Sequence, residues 1–498
     1  MRTFRVFLAL TLLPAALVAQ RAPTVAARAP LRLSLEEAVR RALDTGDEIR
    51  IAAAGVRQAS GQVTQAWASA LPDIRGSLTY QRTFASVFSS GSGSSGPGLP
   101  PFSPDTTAPL ADRIRYLERE YHNSVTRGIG DLFKNLPFGR QNTYNYAITV
   151  SQTLFQGGKV GAGIRGAHSF ERAAQAQLDD AREDLTYRVK VAYLNALFAE
   201  RMLEIGEATQ AQVNEHLRTV QLNHRVGATG DYDLLRSQVE SANQEPLVIG
   251  ARNGLENAQF ELRRLVNIPV DQPVELTTAA LTDADSLPEV DSISLRAETP
   301  DRSTLVAAES NVDFRRQAVR VYRGDAFPLL KFTMNYGGQA YPSAGLPALG
   351  DFRRDWNASV SLSMSLFDGF RNRGVVRQAR AELERAEAQY SQTREGVAIQ
   401  VEEARSEMLR ARALVAARRQ TVTQATRAYH LADVRYVNQI ASSIEVSDAR
   451  LALQQARVNE AQSTRDYLLA IAGVERALGK PAPLARPAQR VATGGAER

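Results

Sequence analysis

WNASVSLSMSLFDGFRNRGVVRQARAELERAEAQY, residues 356 to 390, changes its period in mid-course. Trp356, Ala358, Val360, Leu362, Met364 and Leu366 alternate with Asn357, Ser359, Ser361, Ser363 and Ser365, which predicts a strand with one apolar and one polar face. Beyond Gly369 the composition shifts to alanine, arginine, glutamate and glutamine, without proline as far as Val437, which predicts one long helix from Arg371. Within it Val376, Ala379, Leu383, Ala386, Tyr390, Thr393 and Val397 advance by threes and fours, and so do Val401, Ala404, Met408, Ala411 and Val415. This is a heptad seam, and the step of four from Val397 to Val401 is a stutter that straightens the supercoil.

The same strand signature recurs. Ile74, Leu78 and Tyr80 oppose Arg75, Ser77, Thr79 and Gln81; Leu330, Phe332, Met334 and Tyr336 oppose Lys331, Thr333 and Asn335; YNYAITVSQTLF (144 to 155) supplies another strand. Segments of about ten residues, with aromatic residues near several ends, suit a transmembrane barrel with a lipid face and a wet lumen. A soluble sandwich fits less well, because only four strands occur and each pair leads into a very long helix. Four strands cannot close a barrel around water, so closure requires several chains; three copies would give twelve strands.

Internal repetition accounts for the pairs. Leu154-Phe155-Gln156-Gly157 is answered by Leu366-Phe367-Asp368-Gly369 at an offset of 212, which also relates Asp233 to Glu445. Upstream, SALPDIRGSLTY (69 to 80) matches DAFPLLKFTMNY (325 to 336) at an offset of 256, so the first copy carries 44 extra residues. That surplus includes GSGSSGPGLPPFSP (91 to 104), whose composition suits a long mobile loop. Expected boundaries are therefore a first repeat over 20–268, with a β-hairpin at 72–155, its extracellular loop at 84–142 and a coiled-coil hairpin at 159–268. A linker at 269–300 leads to a second repeat over 301–478, with a β-hairpin at 328–367 and a coiled-coil hairpin at 371–478; the tail 479–498 is expected to be disordered. Each long helix, of roughly 100 Å at 1.5 Å per residue, ends in a short turn before a second helix runs back.

Composition closes off other classes. Arg2 and Arg5 precede a short apolar run in MRTFRVFLALTLLPAALVAQ, so 1–19 reads as a signal peptide. No later stretch of eighteen apolar residues could form a spanning helix, which leaves strands for any membrane crossing. With no cysteine there are neither disulfides nor thiolate metal sites. The formal net charge of +6 is spread among interleaved acids, a solvated surface instead of a nucleic-acid footprint. His122, His168, His216, His224 and His430 are scattered and indicate no metal site. Gly161-Ala162-Gly163-Ile164-Arg165-Gly166 spells a dinucleotide fingerprint, but its strand alternates, its helix is too long, and the duplicate lacks it; the glycines read as a tight junction. No triad or nucleophile elbow is evident, so neither an enzyme nor a cofactor is expected.

LSLEEAVRRAL (33 to 43), ALP before a strand (70 to 72), LFQGGK and LFDGFR at strand-to-helix junctions, VKVAYLNAL (189 to 197) and RVGATGDYDLL (225 to 235) resemble the TolC-like outer-membrane efflux protein family. The resemblance spans residues 31 to 480. It implies a mainly α chain with a membrane β-barrel part: a trimer whose four strands per chain complete a 12-stranded barrel, continued by an α-helical tunnel in the periplasm. It further implies a passive exit duct in the cell outer membrane for efflux or type I secretion, opened by a periplasmic adaptor protein and an inner-membrane pump. A soluble adaptor would need one hairpin flanked by soluble β-domains, and a coiled-coil scaffold would not need alternating strands.

The resemblance also assigns a periplasmic gate. The family's acidic pair falls on Glu445 and Asp448, and Asp233 and Tyr436 match positions that link neighbouring coils. Gly227, Ala228 and Thr229, with Gln439, Ile440 and Ala441, are the helical tips expected to meet the adaptor. The family's tip arginine falls on Ala441 and its tip glycine on Gln439, so the resemblance implies a resting lock that is either weaker or differently wired. Ser442 and Glu445 also stand at capping-box spacing, and cap and gate readings of Glu445 are compatible.

Overall fold

Alternation becomes a four-stranded antiparallel sheet in the computed structural model, which describes residues 30–84, 103–121, 141–278, 287–288, 300, 302–342 and 345–480. Strands β2 (Asp73–Arg82), β3 (Asn142–Gln156), β5 (Leu329–Ala340) and β6 (Arg353–Ser363) lie in the order β2-β3-β5-β6. The register Ile148↔Tyr336, Val150↔Met334, Phe332↔Val360 and Tyr336↔Trp356 puts apolar side chains of neighbouring strands on one face. Thr149, Asn335 and Asn357 share the other, where Thr149 donates to Asn335 Oδ1 at 2.8 Å and Asn335 Nδ2 to Asn357 Oδ1 at 3.2 Å. Tyr80 and Tyr144 stack with ring centres 4.7 Å apart, and Tyr146 meets Phe352 edge-on at 5.1 Å, so aromatic rings gather at one end of the apolar face. That face is uncovered: Leu78 is 78% exposed and Trp356 71%.

β6 ends at Ser363, four residues short of the expected hairpin limit at 367. Its partner β5 begins at Leu329, paired with Ser363, and Pro328 before it has no amide to continue the ladder. At the base of β3, Gly157 adopts φ 53°, where a Cβ would lie 2.7 Å from the Gly324 carbonyl oxygen and from Phe327; only glycine lets the chain turn there. The expected signal segment 1–19, most of the expected loop 84–142 and the expected tail beyond Lys480 lie outside the described residues. Inside the expected loop, however, residues 110–121 form helix α3, with Leu110, Ile114, Leu117 and Tyr121 at helical spacing.

Two compact units divide the chain. The first comprises residues 51–180 and 302–397 and holds the sheet, most of α2 (Asp47–Ala68), and α6 (Ser303–Gly324). There Phe314 of α6 meets Phe170, ring centres 6.0 Å apart, and Gly166 admits Phe314 and Gln317 closely. Gly161, Gly163 and Gly166 thus sit inside helix α4 (Lys159–Arg225), not in the junction turn, which Gly157 and Gly158 make.

The second unit gathers residues 1–50, 181–301 and 398–498. It contains α1 (Leu35–Thr45), α5 (Asp231–Leu265), α8 (Ser443–Leu478) and the distal parts of α4 and of α7 (Arg371–Val437). A parallel pair, β1 (Leu31–Leu33) with β4 (Val274–Leu276), lies beside buried Tyr193, whose hydroxyl donates to the Leu33 carbonyl at 2.8 Å. The expected linker 269–300 therefore begins with a strand, too short to read from periodicity. All twelve residues of the α7 seam are buried or half-buried, Met408 and Ala411 at 1% exposure, as a heptad requires. α4 and α7 each run 67 residues and start 212 apart; α2 and α6 each run 22 and start 256 apart.

Candidate gate at the helical tips

Each helical hairpin turns by the same backbone device. α4 stops where Gly227 turns left-handed (φ 77°) and the Ala228 amide bonds back to the Asn223 carbonyl at 2.9 Å. α7 stops where Gln439 takes φ 60° and the Ile440 amide reaches the Arg435 carbonyl at 2.8 Å. These bonds occupy carbonyls that a helix end leaves orphaned. Glycine takes such a φ freely; for glutamine it costs roughly 1–2 kcal/mol.

Side chains then distinguish the tips. Past Thr229, α5 begins after Gly230, and His224 Nε2 lies 2.7 Å from Asp231 Oδ1 across the turn. Past Ala441, the Ser442 hydroxyl caps α8 by accepting from the Glu445 amide at 3.4 Å. The Glu445 carboxylate meanwhile faces Arg435, with Nε 3.6 Å away, so the cap and a charged contact coexist there. Asp448 is exposed one turn on, at the rim of a cavity of about 340 Å³ lined also by Arg236, Glu240 and Arg450.

Asp233 and Tyr436, from different hairpins, lie near enough for the charge of one to act on the other. Burial pushes the Tyr436 phenol above its ordinary pKa and the charge of Asp233 adds to this, while the nearby Asn223 and Thr229 side chains pull the other way. Behind Tyr436, with ring centres 5.1 Å apart, lies His216, 8% exposed. Burial holds its imidazole below the usual pKa and Arg450 adds to the effect; Glu240, Asp433 and Asp233 oppose it.

One layer further, Arg450 of α8 is 2% exposed and binds Glu240 of α5, and the Ser447 hydroxyl donates to the same carboxylate at 3.0 Å. A guanidinium so far from water needs that carboxylate. Sequence reasoning missed Glu240, Ser447, Arg450 and His216. A signal existed only for His216, which takes a place in the seam Ile205, Thr209, Val213, His216, Val220. Among the described residues, no group of three or more histidines and carboxylates could hold a metal. The tip thus positions charges and a phenol between two coiled coils.

The profile of the outer membrane efflux protein family matches residues 117–267 and 297–480. The chain belongs to that family. This efflux protein is 21% identical over 341 residues to the outer membrane efflux protein BepC of Brucella suis biovar 1, covering 68% of this chain and 73% of BepC. Protein CyaE of Bordetella pertussis is 24% identical over 274 residues, and the chain spans just over half of its length (54% of this chain, 56% of CyaE). In fold, the efflux protein resembles the outer membrane protein VceC of Vibrio cholerae, with TM-score 0.67 at 18% identity over 90% of this chain and 96% of VceC. The efflux protein is accordingly an outer-membrane protein, and its family and fold are those of passive channels.

Proposed function

We propose that three copies of this chain close a twelve-stranded barrel in the outer membrane and that their helical hairpins continue it as a tunnel through the periplasm. The observation that carries this reading is the sheet, which buries neither face. Its apolar side offers lipid Leu78, Trp356, Val360 and Leu362, while its polar side offers a lumen Thr149, Asn335 and Asn357. Among the described residues β2 and β6 each pair on one side only, and an exposed edge of ten or eleven residues invites another strand. Because β2 and β6 run in opposite directions, β6 of one copy can pair with β2 of the next and keep every neighbour antiparallel.

The duct serves a tripartite efflux or type I secretion system, receiving cargo from an inner-membrane pump through a periplasmic adaptor that grips the tips at Gly227–Thr229 and Gln439–Ala441. Glu445, Asp448, Asp233 and Tyr436 form the periplasmic gate. The equal helix lengths and constant offsets support a division into repeats at 20–268 and 301–478. The test is assembly and conductance: the purified chain requires detergent, cross-links as a trimer and conducts ions in planar bilayers. A chain that stays monomeric in plain buffer and leaves liposomes impermeable would falsify the reading.

A further inference from the structure

The two strand-to-helix junctions share a backbone but differ at one residue. In the first, Gly157 and Gly158 have φ of 53° and 76°; their counterparts, 212 residues on, are Gly369 and Phe370, both at φ 67°. A bulky side chain rarely occupies that region, and such outliers gather at functional surfaces. Here the unusual backbone presents a ring to the outside. Phe370 is 61% exposed and Phe367 77%, the two meeting edge-to-face at 5.6 Å, and the Arg373 guanidinium sits 5.2 Å from the Phe370 ring centre.

The cations at this junction are also uncommitted. At the first junction Lys159 is neutralised by Asp325 at 2.7 Å, whereas exposed Arg371 and Arg373 make no ion pair among the described residues. Asp368, the carboxylate next to them, accepts from the Asn372 amide at 2.8 Å. Exposed Met364 and Leu366 carry the apolar face of β6 directly into the knuckle.

We infer that Phe367, Phe370, Arg371 and Arg373 form a docking surface for anionic phospholipid headgroups in the leaflet on the helical side of the barrel. Resting on the membrane-barrel reading above, the inference takes the rings to the headgroup depth that amphipathic aromatics favour, where the guanidinium groups meet lipid phosphate. Unpaired arginines beside bare rings, continuous with a lipid-facing strand, match a surface that is apolar within and negative at its edge. The first junction, with glycine and a neutralised lysine, lacks both elements.

The test uses the whole chain in detergent micelles, unfolded thermally with added phosphatidylglycerol or phosphatidylcholine. Phosphatidylglycerol should raise the wild-type Tm by several degrees and phosphatidylcholine should not. Phe370→Gly, and Arg371→Ser combined with Arg373→Ser, should lose the shift. In lipid-free detergent Phe370→Gly should unfold no earlier than wild type, because glycine relieves the backbone. Equal shifts with both lipids, shifts retained in the variants, or variants that fall apart into monomers without lipid would each overturn the inference, the last making the knuckle a contact between copies. Conductance in phosphatidylcholine bilayers, measured alongside, separates the two layers of argument: a conducting wild type with no phosphatidylglycerol shift rejects only the lipid surface, and a non-conducting one rejects the barrel.

Discussion

At the first tip Gly227 turns the chain and His224 meets Asp231 at 2.7 Å; at the second, 212 residues on, Gln439 turns it and Arg435 faces Glu445 at 3.6 Å. The backbone is common to both and the chemistry is not. Where the hairpins touch each other the divergence is complementary: His216, Asp233 and Glu240 come from the first, Tyr436, Ser447 and Arg450 from the second. Glu240 has Ala452 as its counterpart at that offset, and Arg450 has Gln238. The Glu240–Arg450 contact therefore has no symmetry-related twin, because its counterpart positions hold the uncharged Ala452 and Gln238.

The sharpest way to break that complementarity is at the buried pair. Glu240→Ala leaves Arg450, 2% exposed, without its counter-charge, and stability should fall by about 3–5 kcal/mol. Arg450→Met should cost less, because the Glu240 side chain, 29% exposed, can still reach water. Unfolding midpoints of the two variants in detergent decide this, and equal losses would count against the asymmetry. At the exposed end of the second tip, Glu445→Ala with Asp448→Ala should raise single-channel conductance in planar bilayers. Unchanged conductance removes both residues from the gate and leaves Glu445 to its place behind the Ser442 cap.

His216 ties the comparison to pH. Its folded pKa lies below the unfolded value because burial disfavours the cation, so its neutral form suits the fold above about pH 6.5. As pH falls below that, the unfolded chain takes up the proton first. Stability should then drop by up to about 1.4 kcal/mol per pH unit until the folded pKa is reached. His216→Gln should flatten that slope below about pH 6.5, and an unaltered slope would assign the acid sensitivity elsewhere.

What could be read in advance depended on periodicity. The strands announced themselves because an apolar face and a polar face impose strict alternation, as in Trp356 to Leu362, and α7 because Met408, Ala411 and Val415 repeat every third and fourth residue. Contacts between helices carry no such local mark. Glu240 and Arg450 stand 210 residues apart, each at what looks like a solvated position of a charged helix, and only folding makes them one site. Helix α3 was hidden by its surroundings, since the glycine- and proline-rich run at 91 to 104 masks the spacing of Leu110, Ile114, Leu117 and Tyr121.

The smallest expected effect tests whether the tips share a backbone in energy as well as in outline. If Gln439 holds its left-handed turn against its own preference, Gln439→Gly relieves roughly 1–2 kcal/mol of strain, and the freer unfolded chain that glycine brings offsets about 0.4–1 kcal/mol. The net gain should lie between about 0 and 1.6 kcal/mol. The reciprocal Gly227→Gln imposes the strain and should lose a similar amount, since no heavy atom lies within 4 Å of the Cβ position to confuse the result with a clash. Opposite signs for the two exchanges mean that the backbone dictates the turn at both tips. A destabilising Gln439→Gly would instead show that side-chain contacts at the second tip, Arg435 with Glu445 among them, hold Gln439 in place.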